Sequence, residues 1–239
     1  MGYAWNVADY PPEVPCRPPR RLPLISARSR TLAVVLLAAV LLAVPLPVRA
    51  APPTPRSNDV PALIDFARSL ENGNASELRG IHVRGIMALR VVRQPPGHSE
   101  YVSNSSDAIT LFDSATRAGS TGLLAHNFLA GHLFSALETG QSIHLVYGDG
   151  RVSEFRITRV LRYRALQPAS TRSSFEDLQD GRILDARALF METYGTPRAL
   201  VLQTCIASGS ELSWGRLFVV ATKVRPHADP RVPNASGIE

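Results

Sequence analysis

A chain of 239 residues with 45% hydrophobic and 19% charged residues is neither disordered nor a coiled coil, and nineteen Pro with sixteen Gly exclude an all-helical bundle. The formal charge of +6 divides unevenly: residues 1–50 hold six Arg against two acids, and the remaining 20 basic against 18 acidic residues leave only +2. That excludes the basic footprint on the folded part that nucleic-acid binding would require.

The first fifty residues have the parts of an export signal. Arg17, Arg20, Arg21, Arg28 and Arg30 precede a thirteen-residue apolar run from Leu32 to Val44, which passes through Pro45 and Pro47 to Val48-Arg49-Ala50-Ala51. A membrane span needs about 20 apolar residues. Cleavage after Ala50 is therefore the first reading of residues 1–50, and an uncleaved N-terminal membrane anchor is the second. Basic residues before the apolar run send the rest of the chain outside in either case. The protein is expected to be exported, secreted or membrane-anchored.

Residues 51–59 are a Pro-rich linker. The folded domain is expected over 60–226, with a C-terminal tail at 227–239. A short amphipathic helix is predicted from Val60 to Leu70, ending at Asn72-Gly73-Asn74. Strands are predicted over Ile86 to Val92, Ile109 to Phe112 and Gly122 to His126. Ile143 to Tyr147 and Val152 to Leu161 flank Gly148-Asp149-Gly150, a hairpin signal. Leu200 to Thr204 and Leu217 to Thr222 are apolar enough for central strands. Helical pieces are predicted over Phe128 to Leu137, Ser174 to Leu178 and Asp185 to Tyr194. The class is mainly β, a closed barrel or sandwich with small helices on its connections.

Cys16 lies before the apolar run and Cys205 deep in the folded part. A disulfide between them would have to cross the membrane or join a removed peptide to the domain, so the mature chain is expected to carry a single thiol. That thiol is either a small buried hydrophobe or a nucleophile. Cys205 follows the apolar strand Val201-Leu202-Gln203-Thr204, which would present it at a strand mouth. Arg216 opens the next strand eleven positions on. It returns beside Cys205 if the two strands pair antiparallel, where a fixed cation favours thiolate and holds an oxyanion. His126 ends another apolar run and can supply the acid–base partner.

These residues resemble the sortases, extracytoplasmic cysteine transpeptidases. The family's Thr-Leu-any-Thr-Cys signature reads here Val201-Leu202-Gln203-Thr204-Cys205, with Val201 a departure. Arg216 before Leu217-Phe218-Val219-Val220-Ala221-Thr222 matches the context of the family's catalytic Arg. Ala125-His126-Asn127, followed by Phe134-Ser135-Ala136-Leu137 and Gly140, reproduces the order around its His. The resemblance runs from Ile81 to Val224 and implies a single closed eight-stranded β-barrel with short connecting helices. It implies Cys205 as acyl-thioester nucleophile, Arg216 as oxyanion and substrate-aligning residue, and His126 as general acid/base. Its implied substrates are secreted proteins with a C-terminal sorting motif, and its acceptor is an amine on the cell wall or on a protein. Water as the acceptor would make a peptidase, and a barrel kept without catalysis would be an exported binding module.

His132, in Ala130-Gly131-His132, is a rival for the acid–base role. Its neighbours Leu129, Leu133 and Leu137 make it a helix-flank residue, expected to be partly buried. His82, His98, His144 and His227 are read as surface residues. No cofactor and no metal site is expected: no Cys/His or carboxylate cluster has ligand spacing, and Glu100, Asp107 and Asp113 are too scattered for calcium. Asn74, Asn104 and Asn234 head glycosylation sequons.

Overall fold

The computed structural model describes residues 61–170 and 172–224. The export segment 1–50 with Cys16, the linker 51–59, and the tail 227–239 with His227 and Asn234 lie outside the described residues. Among the described residues no helix is long and apolar enough to cross a membrane.

Ten strands form one sheet that closes on itself. In chain order they are β1 (Leu78–Val83), β2 (Met87–Arg93), β3 (Ala108–Phe112), β4 (Thr121–Leu124), β5 (Ser142–Tyr147), β6 (Val152–Ala165), β7 (Phe175–Asp177), β8 (Ile183–Leu184), β9 (Leu200–Ser208) and β10 (Glu211–Lys223). The order is β10-β9-β4-β3-β2-β1-β5-β6-β7-β8, and an added β10–β6 pairing closes eight of them into a barrel, leaving β7 and β8 as an extension of β6. Of the barrel and sandwich alternatives, the chain takes the barrel. Its β2–β3 and β4–β9 pairs are parallel and the others antiparallel.

Alternation along the strands splits the apolar residues between two faces. The barrel interior is filled by Ile81, Leu89, Ile109, Leu123, Ile143, Leu145, Leu202 and Val219, among others. A second cluster lies on the outer face of the wall, where Phe112, Leu124, Val201 and Phe218 meet Phe175 and the residues Leu189 and Tyr194 of α3 (Ala186–Tyr194). Asp185 starts α3 by accepting from the Ala188 amide at 2.7 Å. A third cluster seats α1 (Leu63–Ser69) on β1 and β5 through Phe66, Leu70 and Val146. Gly80 permits that approach, because a Cβ there would strike Leu70 and Phe66. A single-turn α2 (Asp113–Arg117) follows β3.

Strand β6 changes face partway along. Phe155 and Ile157 point into the barrel, whereas Leu161, Tyr163 and Ala165 belong to the outer cluster. The register against β10 skips Thr158, with Val220 opposite Arg159 and Ala221 opposite Ile157. The extra residue is a β-bulge, which shifts the side-chain period by one. Thr158 Oγ1 donates to the Val220 carbonyl at 3.2 Å across it.

Several expectations are corrected. Ser174 to Leu178, expected as helix, contains the strand β7: Tyr163, Arg164 and Ala165 of β6 supply a ladder for Asp177, Glu176 and Phe175, and tertiary pairing overrides local preference. Phe128 to Leu137 forms a 3₁₀ helix over Ala130–Ala136 instead of a longer helix. Strand β1 has no counterpart among the predicted strands. Strand β6 runs four residues past Leu161. His82, expected on the surface, is 4% exposed, covered by Phe66 of α1 at 6.0 Å between ring centroids.

Candidate functional site

Cys205 and Arg216 lie directly opposite each other on the antiparallel hairpin β9–β10. Such pairs share a face, with Cβ atoms about 4.5–5.5 Å apart. The same row continues onto β6, where Tyr163 stands opposite Arg216, and onto β7, where Asp177 stands opposite Tyr163. The bulge at Thr158 is what turns Tyr163 to this face.

His126 joins the row from the other side. In the parallel pair β4–β9, Leu123 is level with Leu202 and Leu124 with Gln203. Ala125 continues the ladder, its amide donating to the Gln203 carbonyl at 3.2 Å. Carried one residue further, the register sets His126 level with Cys205 and on the outer face, alternating with Ala125, which packs into the barrel.

Three ties fix this seam. Thr204 Oγ1 donates to the Ala125 carbonyl at 2.8 Å. Asn127 Nδ2 donates to the Leu212 carbonyl at 3.1 Å, joining the His126 loop to the start of β10. The Gly131 and Leu129 amides both donate to the His126 carbonyl, at 2.9 and 3.0 Å. Gly131 lies so close to the seam that a Cβ there would collide with Thr204 Oγ1 and with the carbonyls of His126 and Ala125. The penultimate Thr of the motif is thus a structural link between the strand of Cys205 and that of His126.

Arg216 is 1% exposed. Its Nη1 donates to the carbonyls of Ser213 and Gly215, both at 3.1 Å, and its guanidinium carbon lies 5.6 Å from the Phe175 ring centroid. It is a buried, held cation. Burial holds the His126 imidazole below the ordinary 6.5, and a hydrogen bond with the Val102 backbone works against that shift. Burial, reinforced by Glu192, pushes the Tyr163 hydroxyl well above its usual range, and that hydroxyl donates to Glu192 at 3.1 Å.

Cys205 sits differently from the expectation: β9 runs on to Ser208, so the residue lies within the strand, on the outer wall, and not at a strand mouth.

His132 is exposed and not partly buried, and its Nδ1 is hydrogen-bonded to the Leu129 carbonyl in its own turn. It is not part of the row. Tyr163 and Asp177 escaped sequence reasoning because their place depends on the bulge and on β7. Among the described residues no three His, Cys, Asp or Glu side chains are grouped to hold a metal ion.

No family model matches this chain, and no curated protein does. Among solved structures it is similar to sortase A of Listeria monocytogenes, with a TM-score of 0.41 and 13% identity over 64% of this chain and 89% of that one. It is similar also to sortase C from Clostridium perfringens SM101, with a TM-score of 0.40 and 12% identity over 69% of this chain and 84% of that one. A third is Streptococcus agalactiae sortase C1 in complex with MTSET, with a TM-score of 0.40 and 14% identity over 66% and 74%. Likeness at this level carries no chemistry to this chain, whose site is read from its own strand register.

Proposed function

We propose that the chain is a sortase-type cysteine transpeptidase of the cell exterior. The observation that carries this reading is the row itself: Cys205 and Arg216 directly opposite each other on β9 and β10, with His126 two residues past the end of β4, whose register against β9 runs on toward Cys205. In the reduced enzyme the Cys205 thiolate attacks a backbone carbonyl in the C-terminal sorting motif of a secreted protein. Arg216, cross-strand from the sulfur, stabilises the oxyanion and aligns the peptide backbone. His126 gives a proton to the departing amine as the peptide bond breaks, which leaves the acyl group as a thioester on Cys205. It then takes a proton from an incoming amine of the cell wall or of a protein, whose attack releases the product and restores the thiolate. Export by residues 1–50, whether cleaved or kept as an anchor, puts the site where such substrates are.

The test is to incubate the reduced full-length chain with a peptide library, with and without an amine, and to seek a thioester on Cys205 by mass spectrometry. A Cys205 adduct that transfers to the amine is expected. Transfer to water alone makes the protein a peptidase, and no adduct with any peptide makes it a binding module.

A further inference from the structure

Phe128 is a large apolar side chain left 44% exposed, beside the barrel face that holds the candidate site. Its ring is stacked on the imidazole of His126, with centroids 5.1 Å apart and planes inclined by 16°. It contributes to none of the three apolar clusters. Its place is nevertheless fixed on both sides: Asn127 is tied to the Leu212 carbonyl, and the Leu129 amide to the His126 carbonyl.

We propose that Phe128 is a positioning residue for His126: the stacked ring fixes the plane of the imidazole so that one nitrogen is held by the Val102 backbone and the other is turned to Cys205. The proposal rests on the reading of His126 as the acid–base group. An imidazole that must both give and take a proton at one place has to keep its ring from turning about its bond to Cβ, because a half-turn puts ring carbons where the two nitrogens were. A second ring lying flat against it resists that turn, since rotation destroys the stack. The Val102 side of the clamp is itself anchored, because the neighbouring Ser103 amide donates to Thr110 Oγ1 of β3 at 2.8 Å. Phe128 also keeps water off one face of the imidazole. That agrees with burial as the main cause of its lowered proton affinity. Cys205 of β9 and Arg216 of β10 stand opposite each other on the two strands that follow β4 in the sheet.

Two substitutions in the full-length reduced chain separate orientation from mere packing. Phe128→Ala removes the stack, and Phe128→Tyr keeps it. Imidazole titration by NMR is expected to place His126 below 6.5 in the parent and in Phe128→Tyr, and to move it upward in Phe128→Ala. Thioester formation in Phe128→Ala is expected to lose about 10²-fold in kcat, the scale of a misplaced catalytic group, with KM unchanged and with Phe128→Tyr near the parent. An unmoved titration together with an unmoved kcat in Phe128→Ala overturns the proposal, as does a Phe128→Tyr enzyme impaired as badly as Phe128→Ala. A parent that forms no adduct with any peptide removes the transpeptidase reading, while the titration still decides whether Phe128 holds the ring.

Discussion

Two rows of polar side chains cross the outer wall of this barrel, and they are built alike. One runs from His82 on β1 to His144 on β5 and Glu154 on β6, each directly opposite the next. The other runs from His126 through Cys205 and Arg216 to Tyr163 and Asp177. Each contains histidine, and each has buried members. They differ in what lies over them. Helix α1 closes the first: Phe66 covers His82, and His82 Nε2 is hydrogen-bonded to the Pro61 carbonyl at 2.9 Å. The second joins a sulfur and a cation, and its histidine is flanked by an exposed ring instead of a packed helix. Buried polar residues in register are therefore a by-product of strand pairing. A row becomes a candidate site only when nucleophile, charge and an acid–base group coincide.

Substitutions can break that contrast. The largest effect is expected at Cys205, where Cys205→Ala removes all thioester while the fold persists. His82→Ala on the other row leaves acyl transfer intact and lowers stability by about 1–3 kcal/mol, the usual range for a buried change. Mass spectrometry and thermal melts of both variants read the outcome, and acyl transfer lost in His82→Ala would erase the distinction. Next, His126→Ala is expected to lower acyl transfer by about 10²–10⁴-fold, the typical contribution of a general acid–base. Arg216→Ala follows with about 10²–10³-fold. Arg216→Lys restores little, because an ammonium lacks the planar fork that presents paired donors to an oxyanion and a peptide backbone.

Smaller effects sharpen the first row. Burial holds His144 below 6.5, with the Glu154 carboxylate pulling it up and the His82 ring pushing it down. The unfolded chain then takes up this proton before the folded one does. The stability contributed by neutral His144 is full above about pH 6.5 and is lost as the pH falls through the lowered folded value. Melting temperatures measured between pH 7.5 and 5 should fall with acid, and less so in His144→Gln. The smallest change is expected at His132, exposed and outside both rows, where His132→Ala should stay within about 0.5 kcal/mol of the parent in stability and keep its activity.

Much of this was legible in the sequence because it is local. The β9–β10 pair shows itself as two apolar runs joined by a polar loop, so Cys205 and Arg216 could be placed on neighbouring strands. Their exact pairing could not, because the turn register would set Cys205 opposite Trp214 and an irregularity between Glu211 and Gly215 moves it on to Arg216. The Gly-Asp-Gly turn announced β5–β6 in the same way. What escaped depends on partners distant in sequence. β7 has three residues and exists because β6 offers it a ladder, and the outward turn of Tyr163 depends on one bulged residue opposite β10. His82 looked like a surface residue because its cover, Phe66, comes from a helix whose docking face cannot be read from β1.

The parallel seam between β4 and β9 has a consequence for how the site comes into being. Cys205 and Arg216 are eleven residues apart and meet as soon as one hairpin zips. The link from Thr204 to Ala125 spans 79 residues, and closing so long a loop is slow and entropically costly. A chain that has made its hairpin but not this seam would hold sulfur and cation together without the imidazole. Such a species would react with a thiol reagent and be unable to turn over. In refolding after dilution from denaturant, thiol reactivity of the β9–β10 type should therefore appear before acyl transfer does, and the lag between them would time the closure of the barrel.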